Sequence, residues 1–351
     1  MKLQKILILV GLTFALSTSL FAQDGKNLDQ IQAEIKKRTE SLNKKITDLA
    51  ADSQSGAVTQ EEYETKKAEI ETEKQKISDL RKIVNAEGEA KRKYNSGLGL
   101  MKQKRYTEAI AELEEAVKIL PDFDKAYYLA GQCYGVLGDN DGALTNYQSA
   151  IQHTENASIR SKAYNAIGNV YKKQEEYGKA IENYDMSIAA QANDNAYIGK
   201  GEVYMSRGGD SNVQKAISSF ESALRVDPKS TTAAYNLGVA NEIVKQFSKA
   251  IEAYKIASKR GRYKADANVG LAKAYNALGQ HQNALNAGSQ ALKGKSKRKA
   301  ECYCELGEAN RKLGKKSQAI ENFNACAEDG IWKSVAEWGI KVTNDPSLEQ
   351  N

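Results

Sequence analysis

Seven alanines recur along this chain of 351 residues at nearly constant spacing: Ala109, Ala143, Ala180, Ala216, Ala250, Ala284 and Ala319, at steps of 34, 37, 36, 34, 34 and 35. A period of that length is one supersecondary unit repeated, a pattern that excludes a single compact globule and requires a stacked array. Four residues after six of the alanines stands a large side chain (Leu113, Tyr147, Tyr184, Phe220, Tyr254, Phe323), and three further on in all seven units a small one (Ala116, Ala150, Ser187, Ala223, Ala257, Ala291, Cys326). Steps of four and three put all three positions on one helix face, which is the buried one. A glycine precedes each alanine by about a helix and a turn, at Gly97, Gly131, Gly168, Gly201, Gly238 and Gly307, with Ala272 in the sixth place. Small residues there let a neighbouring helix approach closely. The sixth unit carries Gly288 where the others have a bulky residue, so it is expected to be the soft joint of the array. Pro121 and Pro228 stop the second helices of units one and four.

The glycine, alanine, aromatic, alanine order, seen in Leu237-Gly238 with Phe247 to Tyr254 and Ala257, resembles the tetratricopeptide repeat (TPR). The resemblance covers residues 90–333, with units starting near 90, 124, 161, 194, 231, 265 and 300. It implies an all-α right-handed superhelix of about seven helix-turn-helix repeats that binds a protein or an extended peptide in a concave groove lined by the first helices. Only 3 prolines, 41% hydrophobic and 7% aromatic residues agree with an all-helical chain.

Residues 1–22 read as a cleavable secretory signal. Lys2 and Lys5 precede the apolar run Ile6–Leu16, then come Ser17-Thr18-Ser19 and Ala22. The chain is therefore expected to be exported, either periplasmic or secreted. Residues 23–89 form a different segment, in which Leu28, Ile35, Leu42 and Leu49, then Tyr63, Ile70, Ile77 and Val84, recur every seventh position. That is the spacing of two coiled-coil helices. Thr59-Gln60-Glu61-Glu62 supplies a capping box for the second. Folding back near Gly56 brings Leu49 to Tyr63, Leu42 to Ile70, Ile35 to Ile77 and Leu28 to Val84, while Arg38 and Lys45 interrupt the other heptad seat. A hairpin within one chain and a homo-oligomer through residues 26–88 both follow from these seams. Signal, coiled coil and repeats in that order are similar in architecture to the periplasmic coiled-coil-plus-TPR family that works with the Tol–Pal envelope system.

Residues 334–351 are expected to be a capping helix and tail. Ser334-Val335-Ala336-Glu337 reads as a capping-box start, and Val335, Trp338 and Val342 line the face expected to cover the seventh repeat before Asp345-Pro346.

Nothing in the pattern assembles a reaction centre, so the chain is read as a non-enzyme without cofactor. His153 and His281 lie far from the cysteines in the repeat plan, and Cys302 and Cys304, two apart on a helix, cannot both grip one ion. Gly294-Lys295-Ser296 lacks the glycine and strand of a phosphate loop. Cys326 falls near residues 302–304 across an antiparallel helix pair. An oxidised pair with either is open, and plain burial is the simpler expectation; Cys133 stands alone.

Two surfaces remain. The groove-side faces carry Lys91, Tyr94 and Asn95, then Lys125, Tyr128 and Gln132, then Lys162, Asn165, Asn169, Lys172 and Lys173. Amides that satisfy a backbone beside lysines that meet acids suit an extended acidic peptide. In the seventh repeat that face turns to Glu301, Glu305, Glu308, Arg311 and Lys312. The second surface is a basic rim of two successive inter-repeat turns, Lys259, Arg260, Arg262 and Lys264, then Lys293, Lys295, Lys297, Arg298 and Lys299. It suits attachment to an anionic membrane surface or envelope polymer; nucleic acid is disfavoured because no aromatic stacking platform is interleaved.

Overall fold

A computed structural model describes residues 28–350, so the signal segment 1–22 lies outside the described residues. Sixteen α-helices and no strand are present among the described residues, ending in a short 3₁₀ turn, Pro346–Gln350. They fall into two compact units, up to Asp139 and from Asn140.

The first unit holds α1 (Leu28–Ser55), α2 (Gln60–Lys102), α3 (Tyr106–Ile119) and α4 (Asp124–Leu137). Helices α1 and α2 form an antiparallel hairpin whose buried seam holds the members of three of the four expected pairs, without Leu28 and Val84. Leu42, Leu49, Ile70 and Ile77 form one buried cluster with Ile35 and Tyr63 against it. The seats lost to Arg38 and Lys45 are used for charge. Arg38 bonds Glu73 across the hairpin at 2.8 Å, Lys45 lies 3.8 Å from Glu69, and Lys66 bonds Asp52 at 2.8 Å. The turn at Gly56 has φ +70°, and Thr59 closes the capping box: its hydroxyl accepts from the Glu62 amide while Glu62 accepts from the Thr59 amide. Helix α2 then continues without a break into the first repeat, where Gly97 faces Leu113 of α3.

The second unit holds α5 (Asn140–Gln152), α6 (Ala157–Lys173), α7 (Tyr177–Ala190), α8 (Asp194–Arg207), α9 (Asp210–Val226), α10 (Thr231–Ile243), α11 (Phe247–Ala257), α12 (Lys264–Ala277), α13 (His281–Leu292), α14 (Lys299–Lys312), α15 (Lys316–Ala327) and α16 (Lys333–Asn344). Repeats 3 to 7 are the pairs α6/α7 through α14/α15. Three of the large second-helix residues, Tyr184, Tyr254 and Phe323, are each seated against two glycines, whereas Phe220 meets Gly201. A Cβ at Gly168 would stand 2.7 Å from the Tyr184 ring and one at Gly199, in the next repeat, 2.5 Å. Tyr254 is held in the same way by Gly238 and Gly270, and Phe323 by Gly307 and Gly339. Tyr184, Tyr254 and Phe220 are fully buried, and the motif alanines have no exposed surface.

Where the sixth repeat has Gly288, the space is filled from the next repeat: Leu306 lies 2.7 Å from a Cβ built there. Val269, Ala291, Cys302 and Leu306 form one buried cluster at this place.

The residue that turns each first helix into its second is left-handed in all seven repeats: Lys104, Gly138, Glu175, Gly208, Lys245, Gly279 and Gly314. Four are glycine, which adopts that backbone without steric cost; three are not.

The C-terminal helix corrects one expectation. Helix α16 starts at Lys333 with no side-chain cap, and it buries Ala336, Gly339, Val342 and Thr343 rather than Trp338. Trp338 and Val335 are 55% and 48% exposed. Gly339 seats Phe323, so α16 packs as another first helix, and its side toward a further second helix is polar, with Ser334, Glu337, Lys341 and Asn344.

Candidate partner-binding face

The groove residues fall in both units. In the first, Lys91 is exposed and paired with Glu87 in its own helix at 2.7 Å, and Asn95 and Lys125 are exposed. The Tyr94 ring lies 5.0 Å from that of Phe123, and Gln132 donates to the Tyr128 hydroxyl at 3.1 Å. Burial pushes both tyrosine hydroxyls up from their ordinary value.

In the second unit, repeat 3 presents Lys162 and Lys173 exposed, with Asn165 between them half-buried. The side-chain carbonyl oxygen of Asn165 is buried and has no hydrogen-bond partner. Asn169 is committed, accepting from the buried Tyr184 hydroxyl at 2.8 Å. Lys172 is committed as well, to Glu202 of repeat 4, which also accepts from Asn236 of repeat 5 at 3.3 Å.

Further along, the first-helix face closes on itself through a network that sequence reasoning missed. Lys273 bonds Glu242 at 2.6 Å and Glu301 at 3.5 Å, and the Tyr254 hydroxyl donates to Glu242 at 2.8 Å. Arg298 grips Glu301 through two nitrogens at 2.7 Å each and approaches Glu242 at 3.8 Å. Burial opposes the charge on Glu301, but the Arg298 bonds outweigh it and hold its pKa below the ordinary value. Glu305, next to this network, is pushed up to about 7, first by burial and then by the charges of Glu301 and Glu242, against Asn276 and Lys273. Asn276 donates to both its carboxylate and its backbone oxygen at 2.8 Å. Charges of opposite sign on first helices one repeat apart were the available signal.

The basic rim is corrected at one position. Arg298 is turned inward onto Glu301 and is not a rim cation, whereas Lys259, Arg260, Arg262, Lys264, Lys293, Lys295, Lys297 and Lys299 are exposed. The cysteines are corrected too. Cys304 and Cys326 form a disulfide between α14 and α15, while Cys302 is a buried thiol that donates to the Gly288 carbonyl at 3.4 Å and Cys133 is buried and free. Burial pushes Cys302 up to about 12 and Cys133 up to about 11, so neither is a ready nucleophile. No group of His, Cys, Asp or Glu able to hold a metal ion occurs among the described residues.

Helix pairs locked by glycine and an aromatic, repeated at fixed period and offering faces instead of an enclosed pocket, define a helical-repeat protein. Family models agree on which one. TPR repeat and tetratricopeptide repeat models match residues 97–138, 125–153, 161–194, 244–301 and 300–328, about half of the chain together. The chain belongs to the tetratricopeptide repeat proteins, which generally mediate protein–protein interactions. Its fold is similar to that of PilF from Pseudomonas aeruginosa, at 15% identity, a TM-score of 0.51, and coverage of 60% of this chain and 93% of that one. It is also similar to the C-terminal part of a TPR repeat-containing protein from Cytophaga hutchinsonii, at 18% identity, a TM-score of 0.53, and coverage of 70% and 99%. In sequence it is 25% identical over 210 residues to anaphase-promoting complex subunit 3 of Schizosaccharomyces pombe. The match takes in 60% of this chain and only 30% of that relative's length.

Proposed function

We propose that this chain is a non-enzymatic scaffold of the cell envelope that receives an extended, acidic stretch of a partner protein on its first-helix faces, centred on repeat 3. The observation that carries the reading is the unpartnered Asn165 carbonyl oxygen, on the helix that also presents the exposed Lys162 and Lys173. A buried acceptor without a donor costs on the order of 1–3 kcal/mol, and a turn of the half-exposed Asn165 amide outward onto a partner's backbone N–H removes that cost on binding. The two lysines meet acidic side chains on either side of it. Repeats 5 to 7 contribute less, because their charges already satisfy one another.

Placement in the envelope rests on the basic-then-apolar start of the sequence and on the Cys304–Cys326 disulfide, which suits an oxidising compartment. Self-assembly through residues 26–88 is left out of the proposal, since Leu42, Leu49, Ile70 and Ile77 are covered within one chain.

A photo-cross-linking residue at position 165, compared with one at the exposed Glu182 on the second-helix side, tests the reading in intact cells. The expected result is one protein captured from 165 and not from 182, with Asn165→Ala lowering its affinity while the fold is kept. Equal capture at both positions, or unchanged affinity in the variant, overturns it.

A further inference from the structure

We infer that the rim formed by the inter-repeat turns of repeats 5 to 7 is a docking surface for an anionic lipid bilayer, with two basic loops facing the headgroups and Ile331 entering the apolar layer. The basic loops, residues 258–263 and 293–298, are physically joined. Asp266, at the start of α12 where the first loop ends, accepts from the Ser296 hydroxyl at 2.6 Å and from the Lys297 amide at 3.1 Å of the second. One loop further back, Arg260 reaches the Lys229 carbonyl at 3.5 Å. The rim is therefore a continuous edge, and four exposed cations stand at each of its two central loops.

Its nearby acids are spent. Asp266 is occupied by the neighbouring loop, and Glu301 is neutralised by Arg298. What faces water is a field of one sign on long, exposed side chains, which suits a diffuse array of anions better than one stereospecific ligand. The rim does not suit single-stranded nucleic acid. The aromatic of the two basic loops, Tyr263, is stacked on Tyr235 at 4.4 Å and 8° and lies 4.6 Å from Arg262, so its ring is already in use.

A bilayer is favoured over a soluble acidic polymer by the next loop along the same edge. Ile331 lies in the turn between α15 and α16 and is 84% exposed, more than any other exposed large apolar residue of the described chain. The turn is built: Asp329 accepts from the Ile331 amide through its side chain at 2.9 Å and from the Trp332 amide through its backbone at 3.0 Å. Asp329 is thereby turned onto its own loop, leaving Glu328 as the acid beside the apolar tip. An apolar tip one inter-repeat turn on from clustered lysines is the combination that holds a peripheral protein on a charged membrane. No helix among the described residues is long and apolar enough to cross one.

The test is co-sedimentation of the full chain with vesicles of phosphatidylglycerol and phosphatidylcholine in equal parts. Pure phosphatidylcholine vesicles serve as a second arm and measure any contribution of the apolar segment 6–16. Binding is expected only to the anionic vesicles and should weaken as salt rises. Lys293→Gln, Lys295→Gln and Lys297→Gln together should weaken it on the order of a hundredfold, at roughly fivefold per lysine. Ile331→Asp should weaken vesicle binding and leave retention on soluble poly-glutamate unchanged. Thermal melts of both variants should match the parent, because every altered side chain is exposed. The inference is overturned if neutral vesicles bind equally, or if Lys36→Gln, Lys37→Gln and Lys44→Gln in the hairpin cause the same loss. It is also overturned if Ile331→Asp has no effect on vesicles while poly-glutamate binds more tightly than they do, which would assign the rim to an acidic polymer.

Discussion

The Tyr184 hydroxyl donates to the Asn169 side-chain oxygen across 2.8 Å, and that bond separates the roles of two asparagines one turn apart on α6. Asn169 supports the core; Asn165, with its carbonyl oxygen unpartnered, supports nothing inside the chain. Asn169→Ala leaves the buried tyrosine hydroxyl without an acceptor and should cost about 1–3 kcal/mol in denaturant unfolding. Adding Tyr184→Phe should recover most of that loss. Asn165→Ala should leave stability within about 0.5 kcal/mol of the parent, since it removes a polar group that is already unsatisfied. If Asn165→Ala destabilises as much as Asn169→Ala, the two positions are equivalent and the assignment of Asn165 to a partner fails.

The seven left-handed inner turns lead to a second expectation. Lys245, Glu175 and Lys104 adopt a backbone that costs an L-residue with a Cβ about 1–2 kcal/mol, at φ +58°, +61° and +62°. Gly279 and Gly314 fill the same place in repeats 6 and 7. Lys245→Gly should therefore raise stability by up to about 1 kcal/mol, with the larger conformational freedom of unfolded glycine offsetting part of the gain. A lower denaturation midpoint would mean that the lysine side chain contributes a contact outweighing its strain.

How far the sequence could be read follows from the range of each interaction. Ala250, Tyr254 and Ala257 declare one buried face because three and four residues are a single helical turn, and the Thr59–Glu62 capping box is equally local. The network of Glu242, Lys273, Glu301 and Arg298 joins residues on three successive first helices, so no window along the chain contains it. Cys302 and Cys304 were indistinguishable by spacing, and only the packing turns one onto Cys326 and the other onto Gly288. At the C-terminus the expected stripe is split: Val342 is buried, whereas Val335 and Trp338 face water. Gly339 was the available sign, since Gly199 and Gly270 seat the preceding repeat's tyrosine as it seats Phe323.

Glu305 sets the expected pH response of the last repeats. Its folded pKa of about 7 lies above the ordinary carboxyl value, so between those two values the folded chain holds a proton that the unfolded chain has released. Stability contributed by the neutral form is complete below the ordinary value and is lost as pH rises toward 7. Melting temperature should thus fall from roughly pH 5 to roughly pH 8, and Glu305→Gln, which keeps the Asn276 contact without a titrating proton, should flatten that part of the profile. Glu301 acts in the opposite direction at lower pH: its depressed pKa means that the stability from its pairing with Arg298 is lost as acid protonates it. A profile unchanged by Glu305→Gln would show that Glu305 does not titrate in this window.

The C-terminal helix gives the sharpest contrast between neighbouring residues. Trp338 is 55% exposed, and truncation to alanine should cost less than about 1 kcal/mol, as surface changes do. Gly339, one residue on, is different. A methyl added there would meet the Phe323 ring at 2.5 Å, and the same ring is already packed tightly on Gly307, where the corresponding distance is 2.7 Å. With little room to slide, the ring must leave its rotamer or α16 must lift from α15. Overpacking of that kind costs about 1–3 kcal/mol. Gly339→Ala should therefore lower the denaturation midpoint where Trp338→Ala does not. Trp338→Phe should also shift the tryptophan emission to shorter wavelength, because the remaining Trp332 is packed on the cluster of Cys304, Ala319 and Phe323. A large loss from Trp338→Ala with none from Gly339→Ala would mean that the helix docks by the Val335–Trp338 stripe instead, with Phe323 covered by another element.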